Sequence, residues 1–259
     1  MGDEEEVAKT VYEFLDGEQE TTEWLARAGK CKVTYPNGDV YEGQYNDLKE
    51  RHGLGKYTYA PPQAEDEEEE GEGKTDAPVH VYMGEFLNGK KHGTGQMSYP
   101  NGDVYYGQWA NNLAQGEGSY KYKNGDVYSG QWTNGQKNGA GTYLFGANNS
   151  QLVGSWQKGT MTEGRWIHKD GTSWHGKFKN NNPFGKGLFY FKNGNQQNGE
   201  YVEIVKEDAE EEDAVNLVWQ GGDYQKASSN PNDIARAEKS DEPIQEKYES
   251  KYEEPAEEE

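Results

Sequence analysis

From Tyr41 to Tyr201, large apolar side chains recur four residues apart with a glycine midway between them. The unit reads Tyr41/Gly43/Tyr45, Tyr82/Gly84/Phe86, Tyr105/Gly107/Trp109, Tyr128/Gly130/Trp132 and Trp174/Gly176/Phe178. Leu152/Gly154/Trp156 is a weaker copy, and Gln197/Gly199/Tyr201 a terminal half-copy. A period of two is the mark of a strand with one apolar face. Seven residues after the second ring comes Gly-x-Gly: Gly93/Gly95, Gly116/Gly118, Gly139/Gly141 and Gly185/Gly187. Two more alternating positions follow, such as Met97 and Tyr99 or Tyr120 and Tyr122, and "PNGD" or "KNGD" closes the unit. Asn-Gly steps between alternating stretches mark tight turns with positive φ, so each unit is expected to be a β-hairpin.

Strand alternation places Tyr105, Gly107 and Trp109 on one face, continued across the hairpin by Gly118, Tyr120 and Tyr122. Gln108, Ser119 and Lys121 take the other face. Gly84, Gly107, Gly130, Gly154 and Gly176 are therefore read as structural glycines. Lacking a side chain, each leaves room for rings from neighbouring strands to lie flat. Consecutive hairpins predict an all-β fold, an elongated single-layer antiparallel sheet in which each unit touches mainly its neighbours. Roughly thirteen strands at about 4.8 Å each give a length on the order of 60 Å. Such a sheet has no second layer, so its aromatic face must curl on itself or be covered by something else.

From Tyr82 the units start at 82, 105, 128, 152, 174 and 197, a cycle of 22 to 24 residues. The step from Tyr41 to Tyr82 is one cycle plus 18 residues, which the insert "PPQAEDEEEEGEGKTDAP" accounts for. An upstream half-unit, "GKCKVTYPNGD", puts Gly29 and Cys31 in the two glycine slots. Three segments follow: 1–28, acidic; 29–204, the repeat sheet with its insert at 61–79; and 205–259, an acidic and largely disordered tail. Within the ends, "VAKTVYEFL" (7–15) suits either a flexible terminus or one or two helical turns. "AVNLVW" (214–219) either docks back on the body or awaits a partner.

Composition agrees with turns and sheet rather than a helical bundle: 34 glycines, 19 tyrosines and only 31% hydrophobic residues among 259. The net charge of -21 is not evenly spread. Residues 1–28, 61–79 and 205–259 carry net -7, -7 and -12, whereas the repeat body carries +5. The acidic flanks and insert cannot bury apolar surface and are expected to be solvated, the insert as a loop between paired strands. That balance argues against nucleic acid as a partner. No stretch approaches the roughly 20 apolar residues of a membrane helix, and "MGDEEEVAKT" lacks the features of a signal peptide. A soluble intracellular protein is expected, with one cysteine and so no internal disulfide.

Candidate chemistry is thin. Cys31 reads as a lapsed glycine rather than a reactive thiol. His52 and His92 occupy equivalent turn positions, yet no second ligand recurs beside them, so no metal is expected. The Gly-x-Gly pairs lack the spacing and strand-to-helix context of a phosphate loop, and no nucleophile motif is present. An enzyme is not expected, nor any cofactor.

The units resemble MORN repeats (membrane occupation and recognition nexus), whose pattern is Tyr-x-Gly-x-Trp-x-x-Gly-x-x-x-Gly-x-Gly. The resemblance covers about 29–204. The "RHGLG" and "KHGTG" turns, the end "GKFKNNNPFGKG" with "NGEY", and the acidic flanks are also similar to a narrower group, the radial spoke head (meichroacidin) type of motile cilia. That resemblance implies a non-catalytic scaffold in the axoneme, in the cytoplasm of a cilium or flagellum. Its implied partners are other radial spoke head proteins, with central-pair projections and a second copy of the chain as further candidates. The groove expected to receive a partner comprises Tyr82, Phe86, Tyr105, Trp109, Tyr128, Trp132, Trp156, Trp174 and Phe178, since Tyr and Trp offer large contact area with few torsions to freeze. The alternative is a scaffold or tether binding acidic phospholipid through Lys90, Lys91, Lys121, Lys123, Lys177 and Lys179.

Overall fold

The computed structural model describes residues 9–14, 29–61, 80–205 and 215–226. The described residues hold sixteen strands and no helix: β1 (Val11–Phe14), β2 (Gly29–Thr34), β3 (Val40–Tyr45), β4 (Arg51–Thr58), β5 (Val81–Leu87), β6 (Lys90–Ser98), β7 (Val104–Ala110), β8 (Leu113–Lys121), β9 (Val127–Thr133), β10 (Gln136–Leu144), β11 (Gln151–Gln157), β12 (Thr160–Ile167), β13 (Ser173–Lys179), β14 (Asn182–Tyr190), β15 (Gln196–Val205) and β16 (Val215–Gln225). They form one open antiparallel sheet in strict sequence order, β1 to β16. The all-β sheet of consecutive hairpins expected from the sequence is therefore present, with sixteen strands where about thirteen were expected. The acidic insert joins the paired strands β4 and β5, but residues 62–79 themselves, and most of both acidic ends, lie outside the described residues.

Two kinds of turn alternate. The first is a two-residue hairpin turn with both residues left-handed, as at Asn111 (φ 50) and Asn112 (φ 71) or Asn88 (φ 48) and Gly89 (φ 77). This is the mirror-image turn whose twist matches that of the strands it joins. The second is the Asn-Gly-Asp loop. There Tyr99 and Asp103 close through a backbone bond of 2.9 Å, and the Asn101 side chain accepts from the Asp103 amide at 3.1 Å. Asparagine and glycine recur at these places because they adopt positive φ at least cost.

A glycine row crosses the strands. In one compact unit, residues 1–126 with 131–136, Gly43 pairs with Gly55, Gly55 with Gly84, Gly84 with Gly95, Gly95 with Gly107, and Gly107 with Gly118. In the other, residues 127–130 with 137–259, the row runs from Gly141 through Gly154, Gly164, Gly176, Gly187 and Gly199 to Gly221. Just beyond the row the register slips in the first hairpin of each unit, as between Gly107 and Trp109, and Gly116 (φ 69) turns the bulge. Both undecided ends resolve into strands. Val11–Phe14 pairs with β2 rather than forming a helical turn, and Val215–Gln225 docks on β15.

Candidate partner-binding face

The two rings of each unit do different work. Tyr105 lies over Gly107 and its partner Gly118; a methyl group on either would stand 2.6 Å or 2.4 Å from the tyrosine hydroxyl. Tyr82 covers Gly84 and Gly95 in the same way. The glycine thus makes room for a ring of its own strand, two residues earlier, and not only for rings of neighbouring strands. The hydroxyl then donates three residues ahead, from Tyr82 to the Glu85 carbonyl and from Tyr105 to the Gln108 carbonyl, both at 3.0 Å. The second ring stands edge-on to the first, with centroids 5.1 Å apart for Tyr82–Phe86 and Tyr105–Trp109. It also reaches the preceding unit: Tyr82–Trp109 are 5.3 Å apart and Tyr105–Trp132 5.1 Å. Each indole N–H donates back to a glycine carbonyl, Trp109 to Gly95 and Trp132 to Gly118, at 3.1 Å.

In the second unit Tyr128–Trp156 and Trp174–Phe178 pair edge-on at 5.1 and 5.0 Å, and Trp156 donates to the Gly141 carbonyl at 3.1 Å. Gly130 is closed off by the Ala140 carbonyl and the Gly141 backbone.

All nine rings expected to line a groove are core. Tyr82, Tyr128 and Trp174 have no exposed surface, and the most exposed, Phe178, shows 7%. They offer little surface to a partner while the strands stay in register. The face that remains open is the next row out. In the first unit, Tyr57, Tyr59, Tyr99, Tyr120 and Tyr122 are half-buried and continue the ring-bearing side of β4, β6 and β8. Neighbours in this row touch: Tyr57–Tyr59 at 4.7 Å, Tyr99–Tyr120 at 5.8 Å and Tyr120–Tyr122 at 4.6 Å. The loop aspartate anchors the row. Asp103, only 8% exposed, accepts from the Tyr120 hydroxyl at 2.7 Å, the Lys123 amide at 2.8 Å and Asn101 at 2.8 Å. Asp39 does the same with Tyr57 (2.6 Å), Ala60 (2.7 Å) and Asn37 (2.8 Å). Burial pushes both carboxyls up, but these hydrogen bonds outweigh it and hold them below the usual carboxylate range.

A family model for the MORN repeat matches residues 26–40, 41–61, 82–104, 105–127, 128–150 and 174–196. The chain carries six MORN repeats. Curated proteins gave no match. Among solved structures, the chain is similar to the Drosophila melanogaster SAS-4 (dCPAP) TCP domain, solved in complex with a proline-rich motif of Ana2 (dSTIL). That likeness has 15% identity, 67% of this chain and 86% of that one covered, and a TM-score of 0.40. The G-box domain of the microcephaly protein CPAP is similar at 11% identity over 75% and 87% of the two chains, with a TM-score of 0.26.

Residues 151–173, between the fifth and sixth MORN matches, show how the sheet absorbs a degenerate unit. Leu152 stands where the first ring should, and the space over Gly154 and Gly164 is taken by Met161, whose Cε would meet a methyl on them at 2.7 and 2.5 Å. The bulge here also has one residue fewer, since Trp156 pairs with Met161 and Ser155 with Glu163 around Thr162 alone. That explains both a threonine in the first glycine slot and the shortened 22-residue spacing. The preceding 24-residue step comes from a longer loop, with Phe145 bonded to Ser150 rather than four residues ahead. In the last unit the ring slot holds Gln197, and Trp219 of β16 lies over Gly199 instead, 5.0 Å from Phe189. Sequence reasoning left 214–219 open; the residue doing this work is Trp219.

The residues weighed for chemistry sit apart from one another. His52 and His92 are exposed, on β4 and β6 with β5 between them. Cys31 is 1% exposed beside Gly43 in the glycine row, and burial pushes its thiol up to about 11, away from reactivity at neutral pH. Ser173 Oγ lies 2.9 Å from His175 Nε2, but burial and then Arg165 hold that imidazole down to about 4, too low for a general base at neutral pH. Five of the six lysines expected to meet phospholipid are exposed; Lys91 is half-buried over rings. The sequence suggested Lys91 only as a phospholipid contact and did not single out Arg51 at all.

Proposed function

We propose that this chain is a non-catalytic scaffold subunit of the ciliary or flagellar axoneme, in the radial spoke head, where it binds other spoke-head proteins. The observation that supports a binding role is the unequal burial of the two ring rows. The inner row is spent on holding the sheet, whereas the outer row of tyrosines, in which Asp39 holds Tyr57 and Asp103 holds Tyr120, is half open to solvent. Rigid, partly exposed tyrosines suit a protein-binding surface, because little conformational freedom is lost when they are covered. MORN repeats support the scaffold part of this reading, and the similarity of the "RHGLG" and "KHGTG" turns and acidic flanks to the radial spoke head type supports the axonemal part. The partner surface is then Tyr59, Tyr99, Tyr122 and their neighbours, in place of the buried groove.

The test is affinity capture from detergent-extracted axonemes with the full chain as bait and mass spectrometry as the readout. Enrichment of radial spoke head proteins, lost on Tyr59→Ser/Tyr99→Ser/Tyr122→Ser with the melting temperature kept, is the expected result. Absence of spoke-head proteins from the wild-type capture, or strong salt-sensitive flotation with acidic liposomes instead, overturns the reading.

A further inference from the structure

Among the described residues, two cations stand on the ring-bearing face of the first unit with no carboxylate within 4 Å. Arg51 opens β4 and Lys91 follows the first residue of β6, in the column next to the second ring of each preceding strand. Arg51 lies 4.8 Å from the Tyr57 ring centre and 5.4 Å from that of Phe86. Lys91 lies 4.6 Å from Trp109 and 5.4 Å from Tyr82, with Nζ 3.5 Å from the Tyr59 hydroxyl.

The fold does not need a cation in this column. Ala114 fills it in β8, Met161 in β12 and Pro183 in β14, all buried. Among the described residues neither Arg51 nor Lys91 has a carboxylate within 4 Å. Among the described residues, Asp39 is engaged by its three donors and Glu50 by Asn46 at 3.1 Å. Arg51 donates once, to the Gly89 carbonyl at 2.7 Å. Burial, and then the nearness of Arg51, hold the Lys91 ammonium down to about 8. A desolvated cation without a counter-charge is costly, and an arriving carboxylate relieves that cost. Arg51 lines a concavity of 290 Å³ together with Tyr35, Tyr45, Tyr57, Lys49, Glu50 and Gly89.

We propose that this face docks an extended acidic segment of a partner protein, with one carboxylate on Arg51, a second on Lys91, and intervening apolar residues against the half-open tyrosines. The proposal rests on the partner-binding reading above and names the chemistry of the occupant. The two cations sit two strands apart, about 10 Å. A polyproline-type extended chain returns to the same side every third residue, about 9 Å along, so the matching pattern is acid-x-x-acid. A membrane is the weaker fit, since two half-buried cations supply only about 1 kcal/mol each toward an anionic surface, while the flanking rings form walls suited to a chain.

The test is fluorescence anisotropy of the full chain with a labelled Glu-Pro-Pro-Glu-Pro-Pro-Glu peptide and its Gln-for-Glu counterpart. Wild type binds the glutamate peptide and not the glutamine one. Arg51→Met/Lys91→Met weakens binding at least tenfold, Lys121→Met/Lys123→Met changes it less than twofold, and Arg51→Lys retains part of it. No wild-type binding, or equal losses in both double variants at unchanged melting temperature, overturns the proposal. So does flotation with phosphatidylinositol bisphosphate vesicles that is lost in Arg51→Met/Lys91→Met while peptide binding stays. Capture from axonemes separates the two levels. If the double variant retains spoke-head proteins as well as wild type does, the docking chemistry fails and the scaffold reading stands. If wild type captures none, the spoke assignment fails whatever the peptide does.

Discussion

Tyr105 covers Gly118 so closely that a single methyl group there would stand 2.4 Å from the tyrosine hydroxyl and 2.7 Å from its Cζ. The ring is itself wedged between Trp109 and Trp132, with its hydroxyl tied to the Gln108 carbonyl, so it has nowhere to retreat. Gly118→Ala is therefore expected to destabilise the protein by about 1–3 kcal/mol through overpacking. Gly29→Ala, where nothing lies within 4 Å, should stay within about 0.5 kcal/mol. Urea titration followed by tryptophan fluorescence compares the two, and equal effects would show that the ring does yield.

The indole N–H of Trp109 satisfies the Gly95 carbonyl at 3.1 Å in a buried setting. Trp109→Phe keeps most of the ring but strands that acceptor, for an expected loss of about 1–3 kcal/mol. Trp109→Ala also opens a cavity beside Tyr82 and Tyr105 and should cost about 3–5 kcal/mol. Thermal denaturation of both variants measures the difference, and it is the ordering that matters.

Asp39 and Asp103 carry carboxyls held below their ordinary range, so the stability they contribute is present above about pH 4 and is lost as pH falls through their lower folded-state values. Acid melting of wild type should therefore show a loss of stability setting in below about pH 4. Asp39→Asn/Asp103→Asn starts from a lower melting temperature at pH 7 and loses less on acidification. Parallel pH profiles for the two proteins would refute the clasp.

The alkaline side has the opposite sign. Burial raises the phenols of Tyr41 and Tyr105 well beyond their ordinary value, and pushes Tyr122 up to about 12. A raised folded-state value means stability is fully present below about pH 10 and drains away as pH climbs through the folded values. Absorbance at 295 nm should show one group of the 19 tyrosines ionising near pH 10 and another only together with loss of the β-sheet circular dichroism signal.

Most of the architecture is legible in the chain because it is written in short-range terms. Asn111–Asn112 and Asn101-Gly102 announce turns through their tolerance of positive φ. Tyr105/Gly107/Trp109 announces a strand face through its period of two, and the cycle of 22 to 24 residues announces stacking. The inner rings were found by the same route, and the structure buries all nine of them, with at most 7% exposed. An aromatic face without a second layer reads as an open groove, whereas edge-on packing between rings of adjacent strands closes it. The ring contacts of Lys91 and Arg51 were not legible for a related reason: nothing within "KHG" or "RHG" tells which side chain folds over a ring of the neighbouring strand.

Sequence alone determined the strands of the repeat body, their order, the turns and the recurring glycines, since each depends on residues at most one hairpin apart. The end strands β1 and β16 were decided by docking on β2 and β15. Tertiary structure decided which rings are spent and which are offered. Tyr82 is fully buried and Tyr99 half open, although both are tyrosines on the same face, because burial is set by what neighbouring strands place alongside. It also decided that Met161 and Trp219 take over where the ring of a unit is missing. Filling the space above a glycine pair demands volume at that point, and any strand that can reach the point can supply it.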